Sequence, residues 1–179
     1  MENLKAINGV ELILLFRELD EAKNKPATKM ALQVEHSVEA SRDSDKTDTK
    51  DGSITSSGGC EEEISLTTIM TRNDKTAEFL EEAFYKNRKI EVWEIDRGSK
   101  NEKGLFKAQY RQGSLTDYTR NAAAEDKVEI EITFATDGIR QKGYTPLSEE
   151  QEEIVQYVFR DTEVYTGEAN EKNAEKESK

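Results

Sequence analysis

Residues 41–59, SRDSDKTDTKDGSITSSGG, hold a single apolar side chain, Ile54, and lie between two stretches that alternate apolar and polar residues as β-strands do. A segment of this kind adds nothing to a core, so the fold must be built from what flanks it. A structureless insert of that length is uncommon in a compact domain, where it is usually a functional loop or a disordered connection. The sequence therefore predicts a long polar inter-strand loop at 41–59 and marks it as the first place to look for function.

The flanks set the fold class. Residues 10–17, VELILLFR, are apolar on both alternations, Val10/Leu12/Leu14/Phe16 and Ile13/Leu15, which predicts a strand covered on both faces. Met30, Leu32, Val34 and Val38 make one apolar face of a second, half-buried strand, and Ile64, Leu66 and Met70 do so for a third at 63–70. Ala77, Leu80, Ala83 and Phe84 then recur at helical spacing, with Asp74 placed to cap and Asn87 to stop a helix over 74–86. Further strands are expected at 89–97, at 105–119 and at 127–134, where Val128, Ile130, Ile132 and Phe134 alternate with Glu129, Glu131 and Thr133. Gly113 interrupts the second of these and predicts a bulge or kink. Ser148 and Gln151 have capping-box spacing ahead of the apolar stripe Ile154, Val155, Val158 and Phe159, which predicts a short C-terminal helix.

The expected architecture is mainly β: two packed antiparallel sheets, as a sandwich or barrel, with one flanking helix and the short C-terminal one. Residues 1–160 form the one domain that 179 residues allow, and 161–179, acidic and poor in apolar residues, are expected to be a disordered tail. Leu, Ile, Val and Phe number 36, about 20% of the chain and close to the composition at which chains stop folding. A core that small would gain from a partner subunit.

The charge balance, 26 basic against 38 acidic side chains, opposes tight binding to nucleic acid or an anionic membrane, because neutralising phosphates drives such binding. One cysteine, Cys60, cannot form an internal disulfide, and the N-terminus lacks a signal peptide's basic start, which points to a reducing cytoplasm as the place of synthesis. No apolar run approaches the length needed to span a bilayer.

Chemistry is sparse. His36, the only histidine, falls on an apolar alternation with no Ser or Cys partner legible around it, and Cys60, followed by three glutamates, is a poor candidate nucleophile. Asp43, Asp45, Asp48 and Asp51 have some of the spacing of a calcium loop but lack its closing glutamate, and Gly58-Gly59 lacks the Lys-Ser/Thr of a phosphate loop. No catalytic, cofactor or metal residue is assigned, and no enzyme is expected. Trp93 lies on a strand apolar on both faces and is a candidate interface residue. Glu129 and Glu131 would give a channel a negative wall if their strand lined one. Apart from assembly, the residues also allow a monomeric β-sandwich binding module that uses the 41–59 loop.

Seven pieces in order, GVELILLFR from Gly9, QVEHS from Gln33, SRDSDKTDTKDGS from Ser41, EVWEID from Glu91, YRQG from Tyr110, AAEDKVE from Ala123, and KGY from Lys142 followed by LSEEQ, resemble the major tail protein family of long non-contractile-tailed bacteriophages. The resemblance implies a structural virion protein of the tail-tube fold, made in the host cytoplasm, six copies of which close into rings that stack into a conduit for genome ejection. It implies contacts with further copies through Arg42, Asp43, Lys50, Asp51, Gly52 and Ile54, and an acidic lumen past which double-stranded DNA slides without specific binding. Other implied partners are the tape measure, tail terminator and distal tail proteins.

Overall fold

The computed structural model describes residues 4–148 and Gln151. Among them are seven strands, β1 (Leu12–Glu18), β2 (Gln33–Thr49), β3 (Gly52–Ile69), β4 (Ile90–Asp96), β5 (Phe106–Asn121), β6 (Glu129–Thr136) and β7 (Gln141–Thr145), and one α-helix, α1 (Lys75–Tyr85). All pairings are antiparallel and join the strands into one sheet in the order β1-β4-β5-β6-β3-β2, with β7 also on β5. The mainly-β class with a flanking helix is as expected, but one continuous sheet replaces the expected two packed ones. The reason lies in β5: one edge pairs with β4, while the other pairs first with β7 at Phe106–Tyr110 and then with β6 at Gly113–Asn121. Alternation tells which way a side chain points but not which strand lies beside it, so the strand that stitches both halves together is invisible to it.

The sheet curls until its end strands approach each other. Phe16 of β1 pairs with Thr28 just before β2. The Gln33 side chain of β2 mimics a further strand: its Oε1 accepts from Leu14 N at 3.0 Å and its Nε2 donates to Leu14 O at 2.7 Å. Leu14, Phe16, Leu66, Leu80, Val92, Ile130 and Phe134 fill the interior. A second cluster, Ile13, Leu15, Ile95, Phe106 and Ala108, packs on the opposite face under Ala27 and Leu147. The double-sided burial expected of the first strand is present, with Ile13, Leu14, Leu15 and Phe16 all buried. Val10, however, lies in a short 3-10 turn and is 75% exposed.

The helix follows from its caps. The Asp74 carboxylate accepts from the amides of Thr76 and Ala77 and, with its other oxygen, from Ala31, so the cap also ties α1 to the segment before β2. Ala77, Leu80 and Ala83 face the sheet, and Asn87 takes the left-handed conformation (φ 49°) that ends the helix.

Two expectations change in the long strands. Residues 41–59 are not a structureless loop: β2 and β3 pair from Gln33/Thr68 to Thr49/Gly52 and leave only Lys50 and Asp51 as a two-residue turn. A strand needs a hydrogen-bonded neighbour, not a core, and the Ser/Thr-rich sequence with Asp51-Gly52 at the turn suits a hairpin. Gly113 is not a bulge either. The register shifts at Leu115/Asp117, whereas Gly113 pairs regularly between Ile90 and Thr136. A Cβ there would sit 2.0 Å from the Ala135 carbonyl oxygen, so glycine permits close approach of the neighbouring strand. The capping box forms as expected, Ser148 N donating to Gln151 Oε1 (2.8 Å) and Gln151 N to Ser148 Oγ (3.3 Å). The apolar stripe beyond it and the tail 161–179 lie outside the described residues.

Candidate functional site

Four neighbouring strands, β2, β3, β6 and β5, form a broad wall whose inner face packs on the core. Register fixes what the other face carries. Glu39 pairs with Glu63, and Glu63 with Ala135; Ser37, Ser65, Thr133 and Asp117 make the next row; Glu35, Thr67, Glu131 and Thr119 the next; Ile69, Glu129 and Asn121 the last. With Glu61 beside Ser41, the uncovered face collects Glu35, Glu39, Glu61, Glu63, Asp117, Glu129 and Glu131, spaced by Ser and Thr, with no Lys or Arg in these rows. Glu131 is exposed and accepts from Asn121 Nδ2 at 2.8 Å, and Glu129 is half-buried. The sequence reading named those two and missed the other five, although each occupies an outward position of its strand's alternation. Like charges opposite one another, as at Glu39/Glu63, cost stability in a sheet, so this face is not arranged for the stability of the single chain.

Beneath it, a buried ionic network pins the wall. Glu62 Oε2 accepts from Arg111 Nε at 2.8 Å, both side chains 1% exposed, and Oε1 accepts from Arg140 at 2.6 Å. Burial alone would raise the Glu62 pKa; the hydrogen bonds from Arg111 and Arg140 outweigh it and hold the carboxyl below its usual range. Arg111 also reaches Glu94 at 3.5 Å, and His36 Nε2 lies 3.4 Å from the other Glu94 oxygen. The Glu94 pKa is lowered by the His36 hydrogen bond foremost, against burial, with Arg111 helping. Strands β2, β3, β4 and β5 and the 137–140 connection are thus tied through five side chains. This places His36 in a structural network.

Trp93 is half-buried on the face of β4 that carries Ile95, its ring 5.0 Å from Tyr110 and 4.9 Å from the Arg17 guanidinium. Glu91 holds the group together, accepting from Arg17 (2.6 Å) and from the Tyr110 hydroxyl (2.5 Å).

The hairpin runs on beyond the wall, because the β3–β6 pairing ends at Glu63 while β2 and β3 continue to the turn. At its base the register shifts between Arg42 and Ser44 opposite Gly58-Gly59, and Arg42 donates to Gly58 O at 2.8 Å. Asp43 packs against Gly58; Lys50, Asp51 and Gly52 (φ 132°) make the tip; Ile54, opposite Thr47, is 64% exposed. The six residues named for this segment thus fall on one projection. The alternation sends Asp45 and Asp48 to opposite faces of it, which disposes of the calcium-loop resemblance.

The family model for the phage tail tube protein matches residues 6–142, most of the chain. The chain belongs to that family. Family membership makes it a structural component of the virion tail and not an enzyme. This tail tube protein is 32% identical over 152 residues to a protein of Staphylococcus phage phiMR25, covering 83% of this chain and 77% of that one. It is 27% identical over 168 residues to the tail tube protein of Bacillus phage SPP1, covering 91% of this chain and 62% of the longer SPP1 protein. The solved structure of the SPP1 tail tube superposes with a TM-score of 0.72 at 25% identity, over 92% of this chain and 96% of that one. The tail of a gene transfer agent particle shares the fold, with a TM-score of 0.59 at 15% identity over 76% and 98% of the two chains.

Proposed function

We propose that six copies of this tail tube protein close into a ring, that rings stack into a tube, and that the acidic wall lines its lumen as the path for DNA. The observation that carries this reading is the wall itself: an uncovered face whose charged side chains are all acidic and which ends, on both sides, in unpaired edges. One is the outer edge of β2, and the other is the edge of β5 beyond Gly113, where β4 pairing stops. Strand order and direction let the β2 edge of one copy meet the β5 edge of the next as an antiparallel pair, and closure removes exposed edges altogether. Six is favoured by the sixfold symmetry of the gene transfer agent tail, whose subunit has this fold. A polyanionic wall does not bind a polyanion, so DNA passes it without adhering.

The projecting hairpin, with Arg42, Asp43, Lys50, Asp51, Gly52 and Ile54, contacts another copy in the stack. Trp93 and its Arg17–Tyr110 partners are a second contact between copies; Trp, Tyr and Arg are the residues enriched at binding hot spots. Negative-stain microscopy and sedimentation at rising concentration test the reading. Rings or tubes of uniform diameter are expected. A chain that stays monomeric at high concentration would overturn it and leave a binding module as the better account.

A further inference from the structure

Asn8-Gly9 is the one asparagine–glycine pair in the chain; the other eight asparagines are followed by Leu, Lys, Asp, Arg, Glu or Ala. The pair lies in the exposed stretch 4–10 ahead of β1 and enters the short turn Gly9–Glu11 with Asn8 extended (φ −83°, ψ 140°). The Asn8 side chain makes no capping hydrogen bond, and the Gly9 amide has no acceptor among the described residues. A Cβ built on Gly9 would meet nothing within 4 Å, so no neighbour crowds this peptide link. Only the Asn8 carbonyl is engaged, accepting from Glu11 N at 2.9 Å.

An asparagine side-chain amide can be attacked by the backbone nitrogen of the next residue. A Cβ on that residue hinders the approach, and so does any bond that holds the side chain or the backbone; glycine removes the first brake. The other described asparagines all keep it, and most are held as well. Asn101 Oδ1 accepts from the amides of Lys103 (2.9 Å) and Leu105 (3.0 Å), and Glu102 follows it. Asn121 ends β5 with its Nδ2 donating to Glu131 Oε1 at 2.8 Å. Asn73 and Asn87 are fixed in left-handed conformations (φ 63° and 49°) on either side of α1, and Asn24 N donates to Glu21 O. Asn8 alone combines an exposed, unheld side chain with a following glycine.

We propose that Asn8 is a site of spontaneous covalent modification, deamidation through a cyclic imide closed with Gly9. The Gly9 nitrogen attacks Asn8 Cγ and forms the new C–N bond, and the side-chain amide leaves as ammonia with the proton that Gly9 gives up. Water then adds to either ring carbonyl. Breaking the bond from nitrogen to Cγ leaves aspartate; breaking the bond from nitrogen to the former main-chain carbonyl leaves isoaspartate, with the chain now running through Cγ. Nothing is oxidised or reduced: water is consumed and ammonia released. Either product adds a negative charge ahead of β1, and isoaspartate also takes the carbonyl that Glu11 N bonds out of the main chain. The reaction goes beyond the assembly reading and does not depend on it, since it occurs within one chain. The test ages full-length free subunits at mildly alkaline pH, with and without urea, and reads each asparagine by peptide mass spectrometry and by enzymatic methylation of isoaspartate. Asn8 is expected to convert severalfold faster than any other described asparagine, with isoaspartate among the products, and at a similar rate in folded and unfolded chains, whereas folding slows Asn101 and Asn121. Gly9→Ala, for which the structure has room, is expected to fold normally and slow the conversion severalfold. Another described asparagine converting first in the folded chain, severalfold protection of Asn8 by folding, aspartate formed without isoaspartate, or an unchanged rate in Gly9→Ala would each overturn the proposal.

Discussion

The two halves of the β2–β3 hairpin are made of the same two strands yet held by different forces. At the root, β3 has β6 on its other side, and Ile64, Leu66 and Thr68 are at most 2% exposed. Beyond Glu63 the pair has no third strand, and all residues from Arg42 to Gly59 are exposed. The root is held by burial, at roughly 25 cal/mol per Å² of apolar surface, whereas the projecting half has only its own cross-strand bonds, each worth about 1 kcal/mol or less. Isolated two-stranded hairpins are marginal in water. A chain that keeps such a projection has a use for it that the single copy does not reveal.

The comparison can be broken from the strong side first. Phe134→Ala should cost about 3–5 kcal/mol in urea unfolding, because Phe134 is 1% exposed at the centre of the core; a loss under 1 kcal/mol would mean that the wall is not packed as described. Arg111→Met should cost a comparable amount, about 3–5 kcal/mol, by leaving Glu62 buried beside Arg140 alone, and Glu62→Gln in the same chain should recover part of it. Asp74→Ala removes the helix cap and its bond to Ala31, for about 1–2 kcal/mol. At the weak end, Ile54→Asp should change monomer stability by no more than about 0.5 kcal/mol while suppressing tube growth; a large stability loss with normal tubes would reverse the contrast.

The same network gives the pH dependence its sign. Glu62 and Glu94 are both depressed in the folded state, so the unfolded chain binds protons more readily. Their contribution is fully present above the ordinary glutamate pKa and is lost as pH falls through the lower folded values. Acid titration followed by circular dichroism should show stability falling below about pH 4.3, the ordinary glutamate value. Replacing Glu94 with Gln should flatten that fall.

Where burial and structure coincide, the sequence was legible: the helix with its Asp74 and Asn87 signals, the two-faced β1 and the alternation of β6 all follow from side chains that face a core. Legibility failed where backbone pairing alone makes the structure. The polar hairpin forms without a core, β7 is short and exposed apart from half-buried Thr145, and β5 changes partners midway, none of which leaves a hydrophobic period. Gly113 was noticed for the right property and given the wrong use, since close approach and a bulge look alike in one dimension. The acidic wall was half seen through Glu129 and Glu131, because its other acids become one surface only once β2, β3, β5 and β6 are placed side by side.

Amide hydrogen exchange over residues 42–60, measured on free subunits and on assembled tubes, tests most directly whether the projecting half is completed by another copy. Fast exchange in the free subunit, against slow exchange at 64–68, and strong protection of both in tubes is the predicted result. Equal protection of 42–60 before and after assembly would contradict it.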